Sequence, residues 1–258
     1  MQRIVWSIVS ALSLPAVSAA ETLAAQEIIR RADEVRSPNR PFRYTVTIRE
    51  YSADSASPLS EQVLDISMRF IKPDQQQQAD ARALVRFIAP PRDRGKRMLA
   101  EWRDLWFYTP GLRRPVPVSP QQRLLGQIAN GDVIVTNFAW GYHAELTREA
   151  PCGEKVCYQL RLTRETPAAS WPTILYWVEK DGDYRPWKAA YYSLDNKLIK
   201  QVLYQRYQPV LGRPRPTRIV VQDFRHGSGY SVMEYSDIRL ESLPVAHFTK
   251  EHLLRGGD

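Results

Sequence analysis

LVRFIAPPRDRGKRMLAEWRDLWFYTPGLRR, Leu84 to Arg114, is the stretch on which the reading of this chain turns. It reads as three short strands separated by punctuation. Val85 and Phe87 share one strand face. Pro90 and Pro91 have no backbone N–H to give to a ladder and stop it. Gly95 relieves the turn that follows. Met98, Ala100 and Trp102 then alternate with Arg97, Glu101 and Arg103 at period two, with Leu99 as the one exception. Trp106 and Tyr108 continue the pattern, and Pro110-Gly111 ends it. Large apolar side chains on one side and arginines on the other suit a wall that handles lipid. They also suit a sheet with a core and a wet face, and the residues alone favour that ordinary sheet.

Upstream, Thr22 to Arg36 has the spacing of a helix, with Thr22 as N-cap and Ala25, Ile28, Ala32 and Val35 as its apolar stripe. Phe42, Tyr44, Val46 and Ile48 mark one strand face, and Leu64, Ile66, Met68 and Phe70 mark the next. Downstream of Arg114, Pro115, Pro117 and Pro120 deny regular strand. Ser119-Pro120-Gln121-Gln122 reads as a helix start with proline at the first helical position, followed by Leu124, Leu125 and Ile128 as a small apolar face. Phe138-Ala139-Trp140-Gly141-Tyr142 is an aromatic knot in a loop. Pro115 to Tyr142 is thus expected to be a covering segment, the part able to move. From His143 the chain is strands and tight turns, with hairpins at Lys180-Asp181-Gly182 and Asp195-Asn196. Thr249 caps a short C-terminal helix to Leu254. Roughly ten or eleven strands and two or three helices make the fold mainly antiparallel β. No internal repeat or linker divides it.

Residues 1–20 read as an export signal: Arg3, an apolar run from Ile4 to Leu14 too short to span a membrane, then small residues with cleavage after Ala19 or Ala20. Residues 21–258 form one domain, placed in the periplasm. The net charge of +8 falls to +7 without the signal, because Arg3 is its only charged residue. In an exported protein this excess points to an anionic membrane surface rather than nucleic acid. The two cysteines, Cys152 and Cys157, pair as a disulfide in an oxidising compartment. Four intervening residues argue against a redox motif.

Chemistry is conspicuous by its absence. His226-Gly227-Ser228-Gly229 lacks the spacing of a nucleophile elbow. His143, His226, His247 and His252 are scattered without metal-ligand spacing. Asp181 and Asp183 flank a turn glycine. No enzyme, metal or cofactor is expected.

The central run, through Leu84, Arg86, Phe87, Pro90, Gly95 and Leu99 and then Leu105, Trp106, Tyr108, Pro110, Arg113 and Arg114, resembles the LolA-like periplasmic proteins of outer-membrane lipoprotein sorting. LYWVEKDGDYRPWKAAYYSLDNKLIKQ, with Asp181, Pro186 and Lys188, and LPVAHFTKEHL, with Phe248, Thr249 and Leu253, extend the resemblance over nearly the whole mature chain. VTNFAWGYHAEL departs from it: Asn137 stands where the family's motif has an acid, and Trp140 where it has a tyrosine.

The resemblance implies an unclosed antiparallel β-barrel with helices covering the concave face. It implies a carrier that shields acyl chains of a lipid or lipoprotein between membranes, in association with a transporter of the resistance–nodulation–division (RND) type. On it, Phe87, Met98, Trp102, Trp106, Tyr108, Phe138 and Trp140 are expected to line the cavity. Arg92, Arg94, Lys96, Arg97, Arg113, Arg114 and Arg123 are expected to form a basic rim toward headgroups or the transporter. The alternative is a periplasmic sensor or regulator of lipid or envelope stress built on the same barrel.

Overall fold

The computed structural model describes residues 19–71, 80–101, 104–134, 137–166 and 169–255. Trp102 and the first eighteen residues of the expected export signal lie outside them. The described residues start in helix α1 (Ala19–Arg36) and then run outward through β1 (Phe42–Tyr51), β2 (Ser60–Ile71), β3 (Asp80–Ala89), β4 (Arg97–Glu101), β5 (Asp104–Tyr108) and β6 (Val116–Val118). A strap, residues 119–141, holds the two-stranded hairpin β7 (Arg123–Leu125) and β8 (Ile128–Ala129). The return path is β9 (Tyr142–Cys152), β10 (Lys155–Arg164), β11 (Thr173–Glu179), β12 (Pro186–Tyr192), β13 (Leu198–Val210), β14 (Arg213–Asp223) and β15 (Tyr230–Leu240), closed by helix α2 (Lys250–Arg255).

Among the described residues, thirteen strands make one antiparallel sheet in the order β6-β5-β4-β3-β2-β1-β15-β14-β13-β12-β11-β10-β9, with unpaired edges at β6 and β9. Every neighbour is consecutive in the chain except β1 and β15, whose ladder from Phe42–Leu240 to Tyr51–Tyr230 is the seam between two meanders. This is the unclosed antiparallel architecture expected from the sequence.

The topology forces a roof. The strap leaves from one edge of the sheet and arrives at the other. Twelve strand spacings of about 4.8 Å would separate the edges by about 58 Å in a flat sheet. A connection that doubles back in a hairpin cannot bridge that. The sheet instead curls, and one apolar cluster takes in Met98 and Leu105 near one edge and Ala144 and Leu160 near the other.

Alternation explains which side chains meet there. Phe42, Tyr44, Val46 and Ile48 on β1, Leu64, Ile66 and Met68 on β2, and Ile174, Tyr176 and Val178 on β11 are all buried on the concave side. α1 lays Ala25, Ile28, Ile29 and Ala32 onto the β9–β14 half, its outer face laced by ion pairs of Glu27 with Arg30 and Arg31. α2 packs elsewhere, on the convex side of β4 and β5, where Phe248 and Leu253 cover Leu84 and Leu99. Thr249 Oγ1 accepts the His252 N–H at 3.2 Å, capping α2 as the sequence suggests.

The cover is therefore one helix plus an irregular strap. The helix expected from Ser119 does not form. Ser119 Oγ accepts the Gln121 N–H in a local turn, and Gly126, at φ +53°, reverses the chain into β7–β8. The Cys152–Cys157 disulfide is present and closes the β9–β10 hairpin.

Candidate functional site

Between the concave face, α1 and the strap lies a cavity of about 430 Å³. Phe42, Tyr44, Val202, Tyr204, Val221 and Met233 form its floor, and Ile134, Phe138 and Trp140 contribute the roof. Its size falls in the range of small-molecule sites, about 300–1,000 Å³. Four charged groups also reach the wall: Arg36, Asp132, Lys200 and Arg215.

Lys200 is 1% exposed and donates to both carboxylate oxygens of Asp132 at 2.7 Å. Its ammonium also lies 5.3 Å from the Trp171 ring and 5.9 Å from that of Tyr191. Asp132 in turn accepts the Ala129 N–H at 2.8 Å, so one carboxylate joins the strap to β13. Across the ladder from Lys200 stands Asp223. Burial pushes the Asp223 carboxyl up, but hydrogen bonds from the Arg225 side chain and backbone outweigh it and hold it below its usual range.

Other polar pins fasten the strap. Tyr44 Oη donates to the Val133 carbonyl at 2.7 Å. The Gln127 side chain donates to His226 O and accepts from Asp223 N, while its backbone N–H donates to Ser231 Oγ. From α1, Gln26 Nε2 donates to the Ala139 and Tyr142 carbonyls and its Oε1 accepts the Ala144 N–H. Asp33 accepts the Ala139 N–H at 2.8 Å and pairs with Arg36 at 2.5 Å. Burial raises the Asp33 pKa against the opposing pull of Arg36. Arg36 also covers the Phe138 ring at 4.1 Å. Most of these bonds satisfy backbone groups of the strap and of the segments that flank it.

A family model described as an uncharacterized protein matches residues 79–255. The structure is similar to that of a LolA superfamily protein from Nitrosomonas europaea at 33% sequence identity and a TM-score of 0.76, over 88% of this chain and 98% of the other. The chain belongs to the LolA superfamily. Two more distant structures share the fold of this LolA-superfamily chain. One is a DUF1329 family protein from Desulfovibrio piger, with 20% identity, a TM-score of 0.75, and 90% and 99% of the two chains covered. The other is a protein domain from Vibrio parahaemolyticus named for outer membrane lipoprotein sorting, with 17% identity, a TM-score of 0.74, and 90% and 99% covered. No curated protein matches the sequence.

The residues singled out from the LolA resemblance separate in space. Phe138 and Trp140 stand in the cavity wall. Phe87 and Met98 are buried in the concave core, with Phe87 edge-on to Phe107 at 6.0 Å, away from the wall. Trp106 and Tyr108 point the other way, into the cluster under α2, where Lys250 lies 3.4 Å from the Trp106 ring. The phase reverses because Glu101 pairs with Asp104: across that hairpin Ala100 faces Leu105, so Leu105 and Phe107 take the concave side.

Of the basic residues, Arg92, Arg94, Arg113 and Arg114 are exposed at one end of the sheet, with no ion pair among the described residues. Their two turns touch: a Cβ on Gly95 would lie 3.0 Å from the Pro110 ring. Lys96 pairs with Asp93 at 2.5 Å, and Arg123 is exposed on β7. Arg97 leaves this group, stacking on Tyr108 at 4.6 Å and donating to the Leu254 carbonyl on the convex side.

Sequence reasoning passed over Arg36, Asp132, Lys200 and Arg215. Two of them carried a signal. Lys200 falls in phase with Val202 and Tyr204, and Arg215 with Ile219 and Val221. A cation in the inward phase of a strand is either paired or functional.

Proposed function

We propose that this protein is a periplasmic carrier that shields the acyl chain of a lipid or lipoprotein and passes it between membranes, working with an RND-type transporter. The observation that carries this reading is the cavity itself, floored by aromatic and aliphatic side chains and roofed by Phe138 and Trp140 of the strap. Membership of the LolA superfamily supports it. Each CH₂ buried gains about 0.8 kcal/mol, so a 16-carbon chain gains roughly 12 kcal/mol over water. A chain held that firmly leaves only for another apolar site, which requires direct handover. The roof must then lift, and its polar pins are groups that water can satisfy once it does. Export with cleavage after Ala19 or Ala20 removes at most the first two residues of α1 and leaves its apolar stripe whole. The exposed arginines at 92, 94, 113 and 114 would face headgroups or the transporter during handover.

The test is native mass spectrometry of protein purified without detergent, before and after delipidation. An adduct of lipid mass is expected, lost on delipidation, restored by added lipid, and weakened in the Phe138→Ala, Trp140→Ala double variant. Protein that never carries or takes up an adduct would overturn the carrier reading.

A further inference from the structure

The strongest unexplained charge is Arg215. Its side chain belongs to a residue only 5% exposed, and its acceptors are all neutral carbonyls. Nε donates to Val210 O at 3.2 Å, and Nη1 donates to Glu34 O at 2.8 Å and Val35 O at 3.0 Å. Among the described residues no carboxylate pairs with it, and neither N–H of Nη2 meets an acceptor. A guanidinium presents five donors; capping the end of α1 uses Nη1 and leaves the Nη2 edge unclaimed. Burial, with Arg213 alongside, pushes the guanidinium down to about 10, as for a cation that nothing compensates. Buried charges are ordinarily paired, because desolvation costs several kcal/mol per ion.

Arg215 sits where two cavities meet. It lines the apolar cavity and also a smaller one of about 290 Å³, and Pro38 is shared in the same way. The smaller cavity is the more polar of the two: beside Leu211 and Leu240, Arg40, Arg213 and Arg215 line it against a single acid, Glu34. That acid is already committed to Arg30 and to Arg213 at 3.0 Å. Arg40 is exposed and has no partner among the described residues. At the junction the roof adds Asn137, which lines the apolar cavity and donates from Nδ2 to Asn39 of the polar one. Its Oδ1 is buried without a partner. A cation lacking a counter-charge and an amide oxygen lacking a donor thus stand at the mouth of an apolar hollow.

We propose that the ligand is an amphiphile with an anionic phosphate or carboxylate head: the acyl chain fills the apolar cavity and the head sits in the polar one, on Arg215 and Arg40. This rests on the carrier reading and names the class of cargo. The head supplies the anionic oxygens that Nη2 lacks, and a hydroxyl on it would meet Asn137 Oδ1. Charge-assisted hydrogen bonds to a guanidinium are the strong kind.

The experiment uses delipidated protein and probes matched in chain: hexadecyl phosphate, hexadecanol and, as the head alone, inorganic phosphate, each below its micellar concentration and read by tryptophan fluorescence and calorimetry. Hexadecyl phosphate is expected to bind about tenfold or more tightly than hexadecanol, with inorganic phosphate undetectable in the same range. That preference should vanish in Arg215→Gln and shrink in Arg40→Gln, which removes an exposed side chain and spares the helix cap. Equal affinity for phosphate ester and alcohol in the unmodified protein would overturn the inference while leaving the carrier reading standing. Tight binding of inorganic phosphate alone would replace it with a free-anion site. Failure of both chain-bearing probes would sink the carrier reading itself.

Discussion

Replacing Asp132 by Asn takes the counter-charge from an ammonium that is 1% exposed while keeping an acceptor for the Ala129 N–H. Asp132 itself is 20% exposed, so the two partners of the pair are not equivalent. Without that charge Lys200 keeps the Trp171 and Tyr191 rings, at 5.3 and 5.9 Å, and a through-space attraction to Asp223, which is itself bound to Arg225. Breaking a buried pair from this side costs about 3–5 kcal/mol. At about 2–4 °C per kcal/mol for a domain of this size, the melting temperature should fall by about 6–20 °C. Lys200→Met removes the cation instead, leaving an acid that keeps Ala129 and reaches water; about 1–2 kcal/mol is expected. The double variant should cost less than the sum of the singles by about 2–3 kcal/mol. Urea unfolding at unchanged m-value, alongside hydrogen exchange of residues 119–141, reads all three. A drop of under 2 °C for Asp132→Asn, or simple additivity of the singles, would refute the view that one buried pair holds the strap down.

Four further outcomes are expected. Gly126→Ala should loosen the strap and lower stability, because φ is +53° and the new Cβ would lie 2.5 Å from Ser231 Oγ and 2.8 Å from Glu50 Cγ; faster exchange at Gln127 and Ile128 is the readout. Asp223 has its folded pKa depressed, so its contribution is present above the ordinary carboxylate pKa and is lost as pH falls through the folded value. Asp223→Asn should therefore flatten the acid limb of a stability–pH curve, and an unchanged limb would remove Asp223 from the account. Cys152→Ser with Cys157→Ser should cost about 2 kcal/mol, set by the short loop the bond closes, and leave ligand affinity unaltered because neither cysteine lines the cavity. Reversing Arg113 and Arg114 to Glu should weaken binding to anionic liposomes at low salt with no change in melting temperature; undiminished binding at low salt would take these arginines out of the handover surface.

Much of this molecule is written in its period-two runs. Phe42, Tyr44, Val46 and Ile48 announce a concave face because each inward position is apolar and each outward one polar. Where both sides of a strand are apolar, alternation no longer says which side is concave. Trp106 and Tyr108, which the LolA resemblance assigns to the cavity, are such a case: α2, far away in sequence, covers the convex side of β4 and β5 and makes it apolar too. Period two running straight on from Met98 and Ala100 also misses the odd step from Ala100 to Leu105, which reverses the phase. The Ser119 helix failed for a local reason. Leu124, Leu125 and Ile128 have helical spacing, but Gly126 between them adopts a conformation that ends a helix. The charged groups of the cavity come from α1, the strap, β13 and β14, and no local motif can gather residues so far apart.

The seam between β1 and β15 has a consequence for how the chain reaches its native state. Tyr51 must wait for Tyr230 before the first meander gains its second neighbour. Until then β1 presents a long row of unpaired backbone groups, a template for association with other copies. A chain cut short before Tyr230 would leave two half-sheets, each complete in its own hairpins and each ending in a raw central edge. Such a fragment should aggregate rather than fold to half a sheet, and a chaperone that shields the β1 and β14 edges during synthesis would raise the yield of the intact protein.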